Sequence, residues 1–366
     1  MKKINQLSTV LTGKRVLVTG HTGFKGSWLC LWLRQLGAEV YGFSLNPESS
    51  PAMFNLCNVE CDIDHQIGDI RDIAALNSRL MSVKPDVVFH LAAQAIVRQS
   101  YLDPLDTLST NIMGTANVME AVRAMNHSCA LVVVSSDKCY ENKEWIWGYR
   151  ENDPMGGNDP YSMSKGATEL LVSSWRSSFF GAESKVKLAS ARAGNVIGGG
   201  DWSKDRIIPD CIRAFSQGKS LELRNPHSTR PWQHVLEPLS GYLTLACRLL
   251  GEQADEYCSG WNFGPTAQDV RPVENVVKLI ADHWDASCDW ILTQGAVSSE
   301  ASMLSLNCDK AISKLGWHPT WNLEQSIFHT TEWYQTWIKD PGDLRRVTLD
   351  QIDRFQVDTD ESAFTL

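Results

Sequence analysis

Long hydrophobic runs are missing from this chain: it holds no stretch of about 20 consecutive apolar residues, the length a helix needs to cross a bilayer, so no membrane span is expected. The opening MKKINQLSTVLTGKRV carries two lysines but breaks its apolar run at Thr12, Gly13 and Lys14. It therefore lacks the apolar centre of a secretion signal, and a cytoplasmic location is expected. Paired cysteine spacing is also missing. Ten cysteines are present, yet none forms a C-x-x-C pair and Cys57 and Cys61 stand by themselves, so no metal centre is expected. The thiols read as reduced, small apolar core residues. Positive charge is in deficit, with 34 Lys and Arg against 43 Asp and Glu and a net charge of -9. That balance gives no support to a nucleic-acid or anionic-membrane partner, and any phosphate-bearing ligand must meet local cations.

What is present suffices for a large core: 43% of the 366 residues are hydrophobic, and the length allows one or two domains. The 14 tryptophans are scattered without a fixed period and read as packing residues. The apolar run RVLVTG (15–20) predicts a strand, SWLCLWLRQLG a helix stopped by Gly37, and AEVYGFSL a second strand. The alternation returns in DVVFHLAA (86–93), a helix over 111–125, ALVVVSS (130–136), a helix beginning near Ser162 and VKLASARAGNVIG (186–198). Strands alternating with helices at this spacing predict an α/β fold with a doubly wound parallel Rossmann sheet. Residues 1–200 are expected to form that dinucleotide-binding domain. Residues 201–340, punctuated by glycine and proline, are expected to form mainly a smaller α/β substrate-binding lobe, with some chain returning to the sheet and helices over 272–284 and 323–337. The polar stretch 341–366 is expected to be a partly ordered tail.

Gly20, Gly23 and Gly26 stand three apart at the first strand-to-helix junction, where glycine permits a tight turn and close approach of backbone amides to a pyrophosphate. The second strand ends in GFSLNP, with Ser44 where an acid would hold the ribose hydroxyls of NAD. Glu39 lies at the strand's other end, and Lys25 in the loop favours a 2′-phosphate by charge, so the residues leave NAD and NADP open. Asp69, in GDIRD, follows a short strand where a carboxylate can accept from an adenine amino group or simply form a solvated turn.

Tyr161 and Lys165 stand four apart at the start of a predicted helix and so share one face. An ammonium beside a phenol lowers its pKa and makes a general base; the same spacing also occurs as a surface pair. Position favours the base, because the strand ALVVVSS delivers Ser136, Asp137 and Lys138 to the same crevice at the carboxyl edge of the sheet. Ser136 can orient a hydroxyl, Asp137 can donate or accept a proton, and Lys138 can change roles with its charge.

Taken together, GxxGxxG (20–26), LAAQ (91–94), SSDKCY (135–140), YSMSK (161–165) and RAGNVIGGGDW (192–202) resemble the extended short-chain dehydrogenase/reductase family over residues 13–337. Within it, GHTGFKGSWL, SSDKCY and RPWQHVLEPL (230–239) are most similar to the CDP-glucose branch of the nucleotide-sugar 4,6-dehydratases. The resemblance implies NAD as cofactor, held by Gly20, Thr22, Gly23, Phe24, Gly26, Asp69, Ile70, Leu91, Ala92 and Ala93 with Tyr161 and Lys165. It implies a nucleotide sugar bound by Gln94, Asn195, Arg206 and Arg230, and a redox-neutral cycle. In that cycle Tyr161 deprotonates the carbon 4 hydroxyl, and Asp137 protonates the hydroxyl leaving carbon 6. Related dTDP-glucose dehydratases have a glutamate as carbon 5 base where this chain has Lys138, which makes Lys138 the candidate. A homodimer built from two helices per subunit, possible further pairing of dimers, and a role in deoxysugars for bacterial surface polysaccharide such as O-antigen are implied too. The rival readings are an epimerase or reductase sharing Tyr161 and Lys165, a 4,6-dehydratase for another nucleotide hexose, and a non-catalytic cofactor-sensing protein.

Overall fold

The computed structural model describes residues 3–204, 206–284, 290–292 and 303–362. Seven strands form one parallel sheet: β1 (Arg15–Thr19), β2 (Glu39–Ser44), β3 (Asp64–Ile67), β4 (Val87–His90), β5 (Cys129–Val134), β6 (Val186–Ala193) and β7 (Gly260–Phe263). Their order across the sheet is β7-β6-β5-β4-β1-β2-β3. The chain winds outward from β1 to β3, returns to the other side of β1 with β4, and continues to β7. Thr19 therefore pairs with Phe43 on one side and His90 on the other, and the two carboxyl ends part at a topological switch point where ligands bind.

Helices cover both faces, so the strands read as continuous apolar runs rather than alternating ones. Ala130, Val132 and Val134 of β5 join one core cluster while Leu131 and Val133 join the other. The larger cluster absorbs Trp28, Trp32, Trp261, Trp317, Trp321 and Trp333, all fully buried, which meets the expectation that tryptophan serves packing here. Helix Phe24–Gln35 follows β1, and the helices Ile73–Val83 and Gly114–Ala124 precede β4 and β5. Pro160–Ser178 precedes β6; it starts sharply because Asp159 accepts from the Ser162 amide and Pro160 occupies the first turn.

The chain leaves the sheet after β6 for a lobe of short strand pairs, Leu221–Leu223 with Trp290–Leu292 and Thr229–Pro231 with Val270–Pro272, together with the helices Ile207–Ser216 and Val273–Trp284. It comes back through helix Leu236–Leu249, so close to β7 that a Cβ on Gly241 would lie 2.3 Å from the Phe263 ring.

The expectation for the C-terminal stretch is corrected. Residues Leu344–Ser362 form a helix, with Leu344, Val347, Ile352 and Phe355 buried in the main core. Polar ties hold it as well: Trp333 Nε1 donates to Thr348 Oγ1 (2.9 Å) and Trp321 Nε1 to Asp358 Oδ2 (2.6 Å). Residues 363–366 lie outside the described residues. Among the described residues all cysteines are free and no metal-binding cluster of His, Cys, Asp or Glu occurs. None of their helices is long and apolar enough to cross a membrane.

Candidate active site

At the carboxyl end of β1, Gly20 adopts φ +77°, and a Cβ there would sit 2.7 Å from the Ala92 amide nitrogen at the end of β4. A Cβ on Gly26 would lie 2.1 Å from the Gly20 carbonyl oxygen. Both positions need glycine for the loop to close against β4 and for helix Phe24–Gln35 to start beneath it. That helix has no side-chain cap at Gly23, so its first amides face the loop as donors for an anion. Leu91, Ala92, Ala93 and Gln94 continue β4 along the same edge, with Leu91 N bonded to the Thr19 carbonyl (3.1 Å). The cradle fits the pyrophosphate of a dinucleotide.

At the end of β2, Thr22 Oγ1 bonds to Ser44 Oγ (2.9 Å) and donates to the Leu45 carbonyl (2.8 Å), which leaves hydroxyls and no acid there. Lys25 belongs to the glycine loop. Its ammonium lies in the field of Arg206, Asp137, Lys165 and Asp201 at the catalytic end, and burial, followed by Arg206, brings it down to about 7. Asp69 is clasped by the Arg71 guanidinium (2.6 Å), which holds its carboxyl below the usual range, and Ile70 is buried where a Cβ on Gly114 would collide with it.

The β5 end turns through Asp137–Cys139, with the Ser136 hydroxyl accepting from the Lys138 amide (3.2 Å) and bonding Asp137 Oδ1 (3.0 Å). The same hydroxyl reaches the phenol of Tyr161, and Lys165 Nζ lies 5.9 Å from the centroid of the Tyr161 ring. The structure thus brings Ser136, Asp137, Tyr161 and Lys165 together, with Lys138 half-buried beside them. Asp137 is 3% exposed; burial pushes its carboxyl up despite the nearby cations Lys138, Arg230 and Lys25. Burial brings Lys165 down to about 8.

The expected lowering of the Tyr161 phenol is not met. Burial pushes it up to about 12, with the Ser136 hydroxyl and Arg206 pulling the other way. The physical reason is that a phenolate in this dry setting loses more hydration than the cations around it restore.

Of the residues expected at the nucleotide sugar, Arg230 lies in the field of Asp137, and Arg206 pairs with Asp201 (3.0 Å) near Tyr161. Asn195 follows β6 and accepts from the Gln233 amide through its carbonyl (3.3 Å). Gln94 is tied into its own loop. Its Oε1 accepts from the Ile96 amide (2.5 Å) and its Nε2 donates to Thr107 (2.8 Å), so the side chain shapes its own loop.

Sequence reasoning missed Asn111, which is 1% exposed. Its Oδ1 accepts from Gln94 N (2.8 Å) while its Nδ2 donates to Gln94 O (3.0 Å) and Ser164 Oγ (2.9 Å), tying the β4 loop to the helix that carries Tyr161 and Lys165. No local motif marks it. His90, bonded to Thr19 (2.8 Å) and Thr115 (2.9 Å), was also overlooked, and its burial keeps it neutral.

A doubly wound sheet with a glycine cradle, a Ser-Tyr-Lys set and an adjoining acid defines a nucleotide-dependent α/β enzyme of the short-chain dehydrogenase/reductase type. The family described as GDP-mannose 4,6 dehydratase matches residues 17–330, and the chain belongs to that family. It is 50% identical to CDP-glucose 4,6-dehydratase of Salmonella typhimurium over 331 residues, 89% of this chain and 92% of that protein. It is 25% identical to dTDP-glucose 4,6-dehydratase of Xanthomonas campestris pv. campestris, over 88% of this chain and 94% of the relative. Among solved structures, an epimerase of Methanothermobacter thermautotrophicus superposes with a TM-score of 0.78 at 21% identity, covering 92% of this chain and 96% of that one. A dTDP-glucose 4,6-dehydratase of Bacillus anthracis in complex with NAD gives 0.72 at 21% identity, covering 88% and 97%. At such identities the likeness is one of fold.

Proposed function

We propose that this protein is an NAD-dependent dehydratase that converts CDP-D-glucose to CDP-4-keto-6-deoxy-D-glucose. The observation that carries the reading is the Asp137 carboxyl, buried and bonded by Ser136 beside the Tyr161–Lys165 pair, with burial pushing its pKa up. Elimination of water needs an acid, whereas oxidation or epimerisation at carbon 4 does not. The choice of CDP-glucose is supported by the 50% identity to the Salmonella enzyme.

In this reading Tyr161 takes the proton of the carbon 4 hydroxyl while Ser136 orients that hydroxyl and the Lys165 ammonium stabilises the phenolate. The glycine cradle of Gly20, Gly23 and Gly26 would hold NAD, which would supply a hydride acceptor for carbon 4 and a donor for carbon 6 with no net reduction. The carbon 4 ketone acidifies carbon 5, from which Lys138 removes the proton. Asp137 then protonates the hydroxyl departing from carbon 6. Arg206 and Arg230 are assigned to the diphosphate, since guanidinium offers paired donors to its oxygens.

The same reading includes a cytoplasmic homodimer supplying deoxysugars such as those of O-antigen. The second copy would cover an apolar face on which Leu102 (80% exposed), Leu105 (76%), Met113 and Leu170 stand out from neighbouring helices. To test the activity, the purified protein is incubated with NAD and, separately, CDP-, dTDP-, GDP- and UDP-hexoses, and the alkali-induced absorbance of a 4-keto-6-deoxy product is followed. A signal with CDP-glucose and no net reduced cofactor is expected; net reduction, or an epimer without a ketone, would move the assignment to another activity.

A further inference from the structure

Glu169 lies one turn beyond Lys165 and takes no part in the reaction just described. The spacing puts Tyr161, Lys165 and Glu169 on one helix face, and they are 7%, 5% and 4% exposed. The Glu169 carboxylate accepts from the Ser135 hydroxyl at the end of β5, from Ser190 Oγ (2.7 Å) and from the Arg192 guanidinium (2.7 Å), the last two on β6. Through its other terminal nitrogen Arg192 donates to the Tyr140 hydroxyl (2.6 Å) and the Glu151 carbonyl (3.0 Å). Tyr140 in turn donates to Asn262 Oδ1 (2.7 Å) in β7. One carboxylate thus gathers the catalytic helix, the strand β5 that leads into Ser136 and Asp137, and β6. Desolvation makes a buried ion pair a poor source of net stability. A pair that bonds Ser135, the neighbour of Ser136, from the helix that carries Tyr161 and Lys165 accords better with a positioning role.

We propose that Glu169 is a positioning residue: clamped by Arg192, it fixes the end of β5 against the catalytic helix so that Ser136 and Asp137 stand opposite Tyr161 and Lys165, and its charge supports the Lys165 ammonium. Lys165 is faced by Cys139 from the β5 turn, His90 from β4, Lys25 from the glycine loop, and Tyr161 and Glu169 from its own helix. Burial works against the Lys165 ammonium, and Cys139 and Glu169 are the groups that resist it. Burial holds the Cys139 thiol far above its ordinary range and so neutral, which leaves Glu169 as the working counter-charge. Glu169 stays ionised: burial opposes its charge, but Arg192 and the hydroxyls of Ser135 and Ser190 outweigh it, with Arg176 a further cation in its field.

The turnover readouts rest on the dehydratase reading; the titration of Lys165 does not. Lysines labelled with carbon-13 at Cε are followed by NMR through a pH series, with Lys165 assigned by the signal lost in Lys165→Met. In Glu169→Gln the Lys165 midpoint is expected to fall by about one pH unit, since an opposite charge close by is removed. With CDP-glucose, kcat should drop tenfold or more and the alkaline limb of its pH profile should move to lower pH. A merely structural Glu169 would lower the yield of folded protein and leave both midpoints in place. Glu169→Asp and Arg192→Lys keep both charges but disturb the clamp, so each should retain the Lys165 midpoint and lose kcat; they also carry the test if Glu169→Gln does not fold. An unmoved Lys165 midpoint in Glu169→Gln, or wild-type kcat in both conservative variants, overturns the proposal. A wild type that titrates as described but never turns over CDP-glucose would instead overturn the functional reading.

Discussion

Gly194→Ala offers a way to disturb the acid while leaving the base alone. A Cβ at residue 194 would stand 2.7 Å from Asp137 Oδ2 and 3.1 Å from Pro231 Cγ, so the carboxylate must retreat by about 0.7 Å to restore an ordinary contact of 3.4 Å. Asp137 is buried and has little room to retreat without losing its 3.0 Å bond to Ser136. Misplacing a reacting group by about 1 Å can cost on the order of a hundredfold in rate, so water loss should slow by roughly tenfold to a hundredfold. That corresponds to about 1.4 to 2.8 kcal/mol of barrier. Overpacking adds a stability cost of about 1–3 kcal/mol. Tyr161 and Lys165 lie on another element and should still oxidise carbon 4. Single-turnover kinetics separate the two: the rise of reduced nicotinamide absorbance reports oxidation, and its decay with product formation reports water loss and hydride return. Equal slowing of rise and decay, or an unaffected decay, would refute the placement of Asp137 as the acid.

Tyr161→Phe removes the proposed base and should abolish ketone formation, whereas Asp137→Asn should keep carbon 4 oxidation and slow water loss; rapid quench of both variants distinguishes these outcomes. Glu237, fully buried, accepts from the amides of Thr320 (3.0 Å) and Trp321 (2.6 Å), and burial pushes its carboxyl up to about 8. A raised folded-state pKa means that its contribution to stability is complete below the unfolded value and lost as pH rises through about 8. Glu237→Gln should therefore unfold at a higher temperature than wild type at alkaline pH, with the gap closing in acid, which calorimetry across pH can check. Leu105→Glu with Leu170→Glu should yield monomers by sedimentation if a second copy covers that face.

The glycine loop and the Tyr161–Lys165 pair were legible because each is a local spacing, and the strands because burial on both faces makes them apolar throughout. The turn bearing Ser136, Asp137 and Lys138 was legible because the end of β5 sits where parallel sheets present side chains. What escaped depends on direction or distance. Lys25 occupies the expected loop, but only the fold brings its ammonium into the field of Arg206 and Asp137. The bonds of Gln94 to Ile96 and Thr107 form only once its loop is folded. Glu169 and Arg192 stand on different elements and meet only once helix and sheet are packed. The C-terminal helix reads as a polar tail because a thin stripe, Leu344, Val347, Ile352 and Phe355, supplies its buried face.

The most direct test of the central claim follows one label. CDP-glucose carrying deuterium at carbon 4 is converted by the NAD-loaded protein in ordinary water, and the product is read by NMR and mass spectrometry. The account expects the deuterium at carbon 6 of the same sugar, with a solvent hydrogen at carbon 5. Deuterium washed into solvent, left on free reduced cofactor, or retained at carbon 4 of an epimer would contradict it.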